Sequence, residues 1–235
     1  MSIKENLEII QSRICEAEIK AGRKTGTVSL MAVSKFHPQE SVIEAVQAGQ
    51  LLFGENRVQE ASQKFPGIFE AHPQAKLHMI GQLQSNKVRN AVKIADCIQS
   101  VDRIDLLEEI EKQCAKIEKN INILFEVHTG EESKSGFKTT DELKAAIDLF
   151  GENKFPHVIP CGLMTMAPFT EDTALIHKSF SSLRELSEKL KNEYKAINFD
   201  VLSMGMSGDF EIAIEEGSTL VRVGTAIFGE RDYTK

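Results

Sequence analysis

The chain has 235 residues, 41% hydrophobic and 27% charged, with a formal net charge of −7 and four cysteines. That length fits one large domain or two small ones with a substantial core, and the composition is that of an ordinary soluble globular protein. The acidic balance argues against nucleic acid as the main partner, so any phosphate site has to be built locally from a few cations and oriented amides.

Ser2-Ile3-Lys4-Glu5 reads as a capping box, with Ser2 as N-cap and Glu5 reaching back to it. Ile3, Leu7, Ile10, Ile14 and Ala17 follow at helical spacing up to a stop at Gly22, so the opening is a capped helix rather than a secretion signal. Beyond it, apolar runs that predict strands at 28–33, 51–53, 77–80, 96–100, 121–127, 157–163, 199–202 and 219–223 alternate with amphipathic segments. Those segments predict helices at 41–48, 58–69, 86–94, 103–118, 141–150, about 171–194 and 209–215. Eight β/α alternations imply a parallel TIM (β/α)8 barrel with an extra N-terminal helix, and a doubly wound open sheet is the alternative. No Pro/Gly/Ser linker divides the chain, so residues 1–235 read as a single domain. No apolar run approaches the ~20 residues of a membrane span. Cys15, Cys97, Cys114 and Cys161 form no CxxC pair, a pattern that points to reduced thiols and a cytoplasmic location.

In a barrel the active face is made by the loops after the strands, and phosphate commonly sits after strands seven and eight. Two turns rich in Gly, Ser and Thr fall there, at Ser207-Gly208 and at Gly224-Thr225. Lys35 follows the first strand and Asn56 the second, so all four positions open onto one rim. Lys35 reads either as a snorkelling lysine or as an imine-forming amine, which partial desolvation and a neighbouring cation would favour. Arg222 lies inside an apolar strand and needs an acceptor. It shares a face with Leu220 and with Gly224, whose missing side chain leaves room for a ligand. An arginine aimed at a pyridine nitrogen would leave that nitrogen unprotonated and weaken the ring as an electron sink. Ser207 reads equally as the N-cap of a short helix or as an anion receiver, with Asp209 and Glu211 competing in the same turn. His78 in a strand reads as a satisfied core histidine. Neither HExxH nor any other tight ligand spacing is present, so no metal site is expected.

Five separated blocks then carry a family resemblance: residues 32–35, 53–60, 78–87, 162–167 and 204–229. In them the chain resembles the YggS/PROSC family of pyridoxal 5′-phosphate homeostasis proteins, nearly end to end. The resemblance implies a fold similar to the barrel domain of bacterial alanine racemase. It implies a Schiff base between Lys35 and the cofactor aldehyde, phosphate binding by Ser207 and the Gly224-Thr225 turn, Arg222 facing the pyridine nitrogen, and Asn56 near the ring. His128 stands where relatives are expected to carry asparagine, whereas Lys134 matches a lysine common to them and is a candidate for a secondary cofactor contact.

The expected function is intracellular vitamin B6 homeostasis: the chain holds pyridoxal 5′-phosphate and passes it to apo-enzymes, as a monomer with no catalytic residue of its own. The alternative is a racemase-like enzyme. Racemases of this fold take a tyrosine base from a second domain, but here the chain runs on only about a dozen residues past the eighth strand. Its tyrosines are Tyr194, late in a surface helix, and Tyr233, almost at the terminus. An imine-forming aldolase barrel would explain Lys35 and a phosphate pocket but leave Arg222 without a purpose.

Overall fold

Eight parallel strands close on one another in the computed structural model, which describes residues 1–130 and 135–230. The strands are β1 Ser29–Val33, β2 Leu52–Glu55, β3 Lys76–Met79, β4 Cys97–Val101, β5 Ile121–Glu126, β6 Val158–Met164, β7 Val201–Ser203 and β8 Leu220–Val223. They pair in chain order, and β8 returns to β1 with Ser29 opposite Leu220 and Met31 opposite Arg222. That last pairing closes the sheet and sets aside the doubly wound alternative.

The surrounding helices are α1 Ile3–Lys20, α2 Gln39–Gln47, α3 Val58–Ala71, α4 Val88–Ile94, α5 Ile104–Ala115, α6 Thr140–Gly151, α7 Thr173–Glu193, α8 Phe210–Glu215 and α9 Thr225–Phe228. The segment expected as a helix from 86 begins as a 3-10 turn, Ser85–Lys87, before α4 takes over. The helix expected to reach 118 stops at Ala115, and Glu118 turns the chain at φ 50°. β7 starts later than its apolar run, because the Asn198 side chain accepts from the Asp200 N–H and bends the chain there.

Residues of α1 behave as the spacing predicts. The Ser2 hydroxyl accepts from the Glu5 N–H at 3.2 Å while the Glu5 carboxylate takes the Ser2 N–H at 2.8 Å. Leu7, Ile10, Ile14 and Ala17 are buried. Their neighbour Glu18 is buried too, and accepts the backbone N–H groups of Gly26, Thr27 and Val28. This ties α1 to the start of β1. At its other side α1 is held by late residues: the Asn6 amide donates to the Ile227 carbonyl, and Arg23, just beyond α1, donates to the carbonyls of Ile214 and Ser218.

Phe53, Phe65, Phe125, Phe180, Phe199 and Phe210 are fully buried in one hydrophobic core. Among the described residues no helix is long and apolar enough to cross a membrane. The four cysteines are free thiols, Cys97 and Cys114 buried, Cys15 and Cys161 half-buried.

Candidate functional site

Backbone alternation sends one set of side chains into the barrel, and four polar ones among them form one hydrogen-bonded array. They lie on strands that are not all neighbours and touch across the interior. Arg222 of β8, 4% exposed, donates through one terminal nitrogen to the Ser203 carbonyl (2.6 Å) and hydroxyl (2.8 Å), and through the other to the Thr165 carbonyl (2.7 Å). The Ser203 hydroxyl donates to Gln99 at 2.7 Å, and the Gln99 amide meets Nδ1 of His78 at 2.8 Å. His78 is half-buried and its Nδ1 has a partner, which fits the bland reading of a hydrogen-bonded strand histidine. Burial, aided by the nearby Lys76 charge, lowers its pKa to about 4.

The acceptor that Arg222 needs is thus neutral oxygen rather than a carboxylate. Burial lowers its pKa to about 10, opposed by the fields of Asp209 and Glu126, so it stays charged at neutral pH. A guanidinium has five N–H donors. The bonds above use three, and among the described residues the other two meet no acceptor while Arg222 lines a cavity at the strand ends.

That cavity measures about 360 Å³, and its wall contains all six residues singled out in the sequence: Lys35, Asn56, Ser207, Arg222, Gly224 and Thr225. Lys35 is half-buried just past β1, and Asn56 just past β2. Gly81 fits hard against Asn56: a Cβ there would come within 2.5 Å of the Asn56 carbonyl, so only glycine lets the loop after β3 lie on this turn. Gly224 lies on the cavity wall and has a second reason to be glycine. A Cβ on it would press on the Val33 carbonyl at 3.1 Å, so it also allows the chain after β8 to sit close to β1.

Ser207 is not a helix cap. α8 starts at Phe210 with Asp209 as its N-cap residue, and Ser207 stays in the loop with its side of the chain on the cavity. Of the two acids in this turn, Glu211 turns away to Arg13 of α1 at 2.9 Å, whereas Asp209 accepts from the Met206 N–H and its field still reaches Arg222. After β8 the chain coils into α9, which was not expected. The Gly224 carbonyl accepts from Ile227 and Phe228. The first-turn N–H groups of Thr225 and Ala226 are left without intrahelical acceptors, as at any helix start.

Val33, His37, Ile80, Gly81, Gln82, Ser135, Met164, Met166 and Met206 complete the wall and were not singled out as site residues. The Ser135 hydroxyl donates to Glu126, a buried carboxylate whose pKa is raised by burial and whose second oxygen finds no partner among the described residues. A larger groove of about 890 Å³ lies between α6 and α7 and takes His128, but it contains none of the six. Lys134 and Tyr233 lie outside the described residues. Tyr194 caps α7, away from the cavity, with its hydroxyl on Asp148 of α6; burial and that carboxylate raise its pKa to about 12.

This chain is 42% identical to the pyridoxal phosphate homeostasis protein of Vibrio cholerae, across its full length and 98% of that protein. It belongs to the pyridoxal phosphate homeostasis protein family. Residues 2–232 of this family member also match the description of the alanine racemase N-terminal domain. Among solved structures it is similar to PipY of Synechococcus elongatus, with a TM-score of 0.87 at 34% identity, over 97% of this chain and all of PipY. A second PipY structure, similar at a TM-score of 0.86 and 33% identity over 97% of this chain and all of that one, has pyridoxal phosphate bound. The alanine racemase of Clostridium difficile shares the fold at 12% identity and a TM-score of 0.76; the match covers 98% of this family member but 58% of the racemase.

Proposed function

We propose that this chain binds pyridoxal 5′-phosphate in the 360 Å³ cavity, as a single-domain, monomeric, cytoplasmic carrier rather than an enzyme. The observation that carries this reading is the convergence of one amine, one buried guanidinium and two amide-bearing turns on that cavity. The donor set suits the ligand. Bound there, the cofactor supplies an aldehyde, and Lys35 is the primary amine placed to attach to it as a Schiff base. Ser207 and the Gly224-Thr225 turn offer a hydroxyl and N–H donors for its phosphate. Arg222, charged and tied to Ser203 and Thr165, offers donors but no acceptor, so it withholds a proton from the ring nitrogen. Asn56 presents an amide beside the ring.

Proton transfer at an amino-acid Cα needs a second base. Tyr194 is remote from the cavity and held by Asp148. That favours holding and handing on the cofactor to apo-enzymes over racemisation. The test measures delivery from the loaded protein to a cofactor-free enzyme against an equal amount of free cofactor, with a parallel incubation of the loaded protein and single L-amino acids in deuterated water. Faster or fuller delivery and no α-deuteration are expected. Steady deuteration, or delivery no better than free cofactor, would overturn the carrier reading.

A further inference from the structure

Behind Lys35, between the barrel wall and α3, lies a buried cluster of charge that does not line the cavity. Lys64 of α3 donates to the Ser34 carbonyl (2.8 Å), to Glu55 Oε1 (2.7 Å) and to Glu60 Oε1 (2.9 Å), which uses all three ammonium protons. Glu55 Oε1 also accepts the Ser34 hydroxyl at 2.7 Å, and Glu60 Oε1 accepts the Phe36 N–H at 2.7 Å. Both neighbours of Lys35 are therefore gripped by one cluster, Ser34 through its hydroxyl and carbonyl, Phe36 through its N–H.

The grip holds an unusual backbone. Phe36 sits at φ 67°, a left-handed conformation that a bulky side chain disfavours and that persists only where its surroundings impose it. The Arg57 guanidinium covers its ring at 5.2 Å. For stability alone the cluster is a poor choice. Two carboxylates share one ammonium, Glu55 is fully buried, and its second oxygen has no partner among the described residues. Apolar residues of similar size serve a core at least as well. What the charges achieve is geometric.

We propose that Lys64, Glu60 and Glu55 are positioning residues that hold Ser34 and Phe36 from behind and so aim Lys35 into the cavity. This rests on the reading of Lys35 as the amine that receives the cofactor. Without the grip, Phe36 relaxes toward an ordinary backbone and the Lys35 side chain leaves its aim.

The test mixes protein with pyridoxal 5′-phosphate, quenches with borohydride at intervals and follows labelling of Lys35 by peptide mass spectrometry. Equilibrium dialysis measures total cofactor bound, and thermal unfolding monitors the fold. Glu60→Ala is the lead variant, because Glu60 is only partly buried and its loss leaves Lys64 paired with Glu55. Lys35 labelling is expected to slow by roughly ten- to hundredfold, the scale of a misplaced reacting group, while total binding and unfolding temperature stay near wild type. Glu60→Gln keeps an oxygen for the Phe36 N–H and is expected to recover most of the rate. Wild-type labelling in Glu60→Ala, or a loss that merely follows total binding or unfolding, overturns the inference. Wild-type protein that binds cofactor but is never labelled at Lys35 removes the reading beneath it, and the inference with it.

Discussion

Ser203 receives both protons of one Arg222 terminal nitrogen, the carbonyl at 2.6 Å and the hydroxyl at 2.8 Å. A hydroxyl that accepts from a guanidinium must give its own proton elsewhere, and it gives it to Gln99 Oε1. That orients the Gln99 amide with its NH2 toward His78, so Nδ1 of His78 is the acceptor. A permanent cation stands at one end of this array and a neutral imidazole at the other.

Gln99→Leu leaves the Ser203 hydroxyl proton without its acceptor and His78 Nδ1 without its donor inside the barrel. Destabilisation by about 2–4 kcal/mol is expected from two orphaned groups, read as a fall of roughly 5–12 °C in the unfolding midpoint for a chain of this size. An unchanged midpoint would show that the array does not bind the interior together.

The same array predicts a pH dependence. His78 has a folded pKa near 4, against about 6.5 when exposed. Between those values the unfolded chain takes up a proton that the folded one refuses, so stability falls as pH drops from about 6.5 toward 4. Thermal unfolding across this range should show the loss, and His78→Gln should flatten it.

Lys35→Ala is expected to abolish the yellow, borohydride-fixable form while non-covalent cofactor binding persists, weakened by roughly ten- to hundredfold, or about 1.4–2.7 kcal/mol. Absorbance and equilibrium dialysis on the same sample separate the two. Complete loss of non-covalent binding would mean that the phosphate contacts contribute less than the cavity suggests.

Glu18→Ala removes the acceptor of three backbone N–H groups between α1 and β1. A loss of about 3 kcal/mol or more is expected, seen as a lower denaturant midpoint. Burial alone would raise the Glu18 pKa, but the bonds from Gly26, Thr27 and Val28 outweigh it and hold it below 4.5. Its contribution is therefore present above about pH 4.5 and lost as pH falls through the lowered value.

Much of this was legible in the residues because strand and helix differ in period. The alternation of apolar runs carried the barrel, and barrel geometry brought Lys35, Asn56, Ser207, Arg222, Gly224 and Thr225 to one rim. What stayed hidden had physical reasons. Thr225–Phe228 is a single turn, too short to display a helical period. Ser207 stayed open between cap and anion receiver, because local sequence did not show that Asp209, two residues on, takes the cap position. The partners of Lys64 come from β2, α3 and the loop after β1, and no local pattern announces a contact between elements. Gln99 and Ser203 did leave a signal, as polar residues at inward positions of short strands, of the same kind that drew attention to Arg222.

The helix α1 is held by residues far along the chain from it. Asn6 waits for Ile227, Arg23 for Ile214 and Ser218, and β1 for its pairing with β8. A nascent chain emerging from the ribosome must therefore carry α1 without these particular partners until β8 and α9 have been made. The amine near the start and the guanidinium near the end first meet when the ring shuts, so a truncated product lacking the final strand would have no assembled mouth.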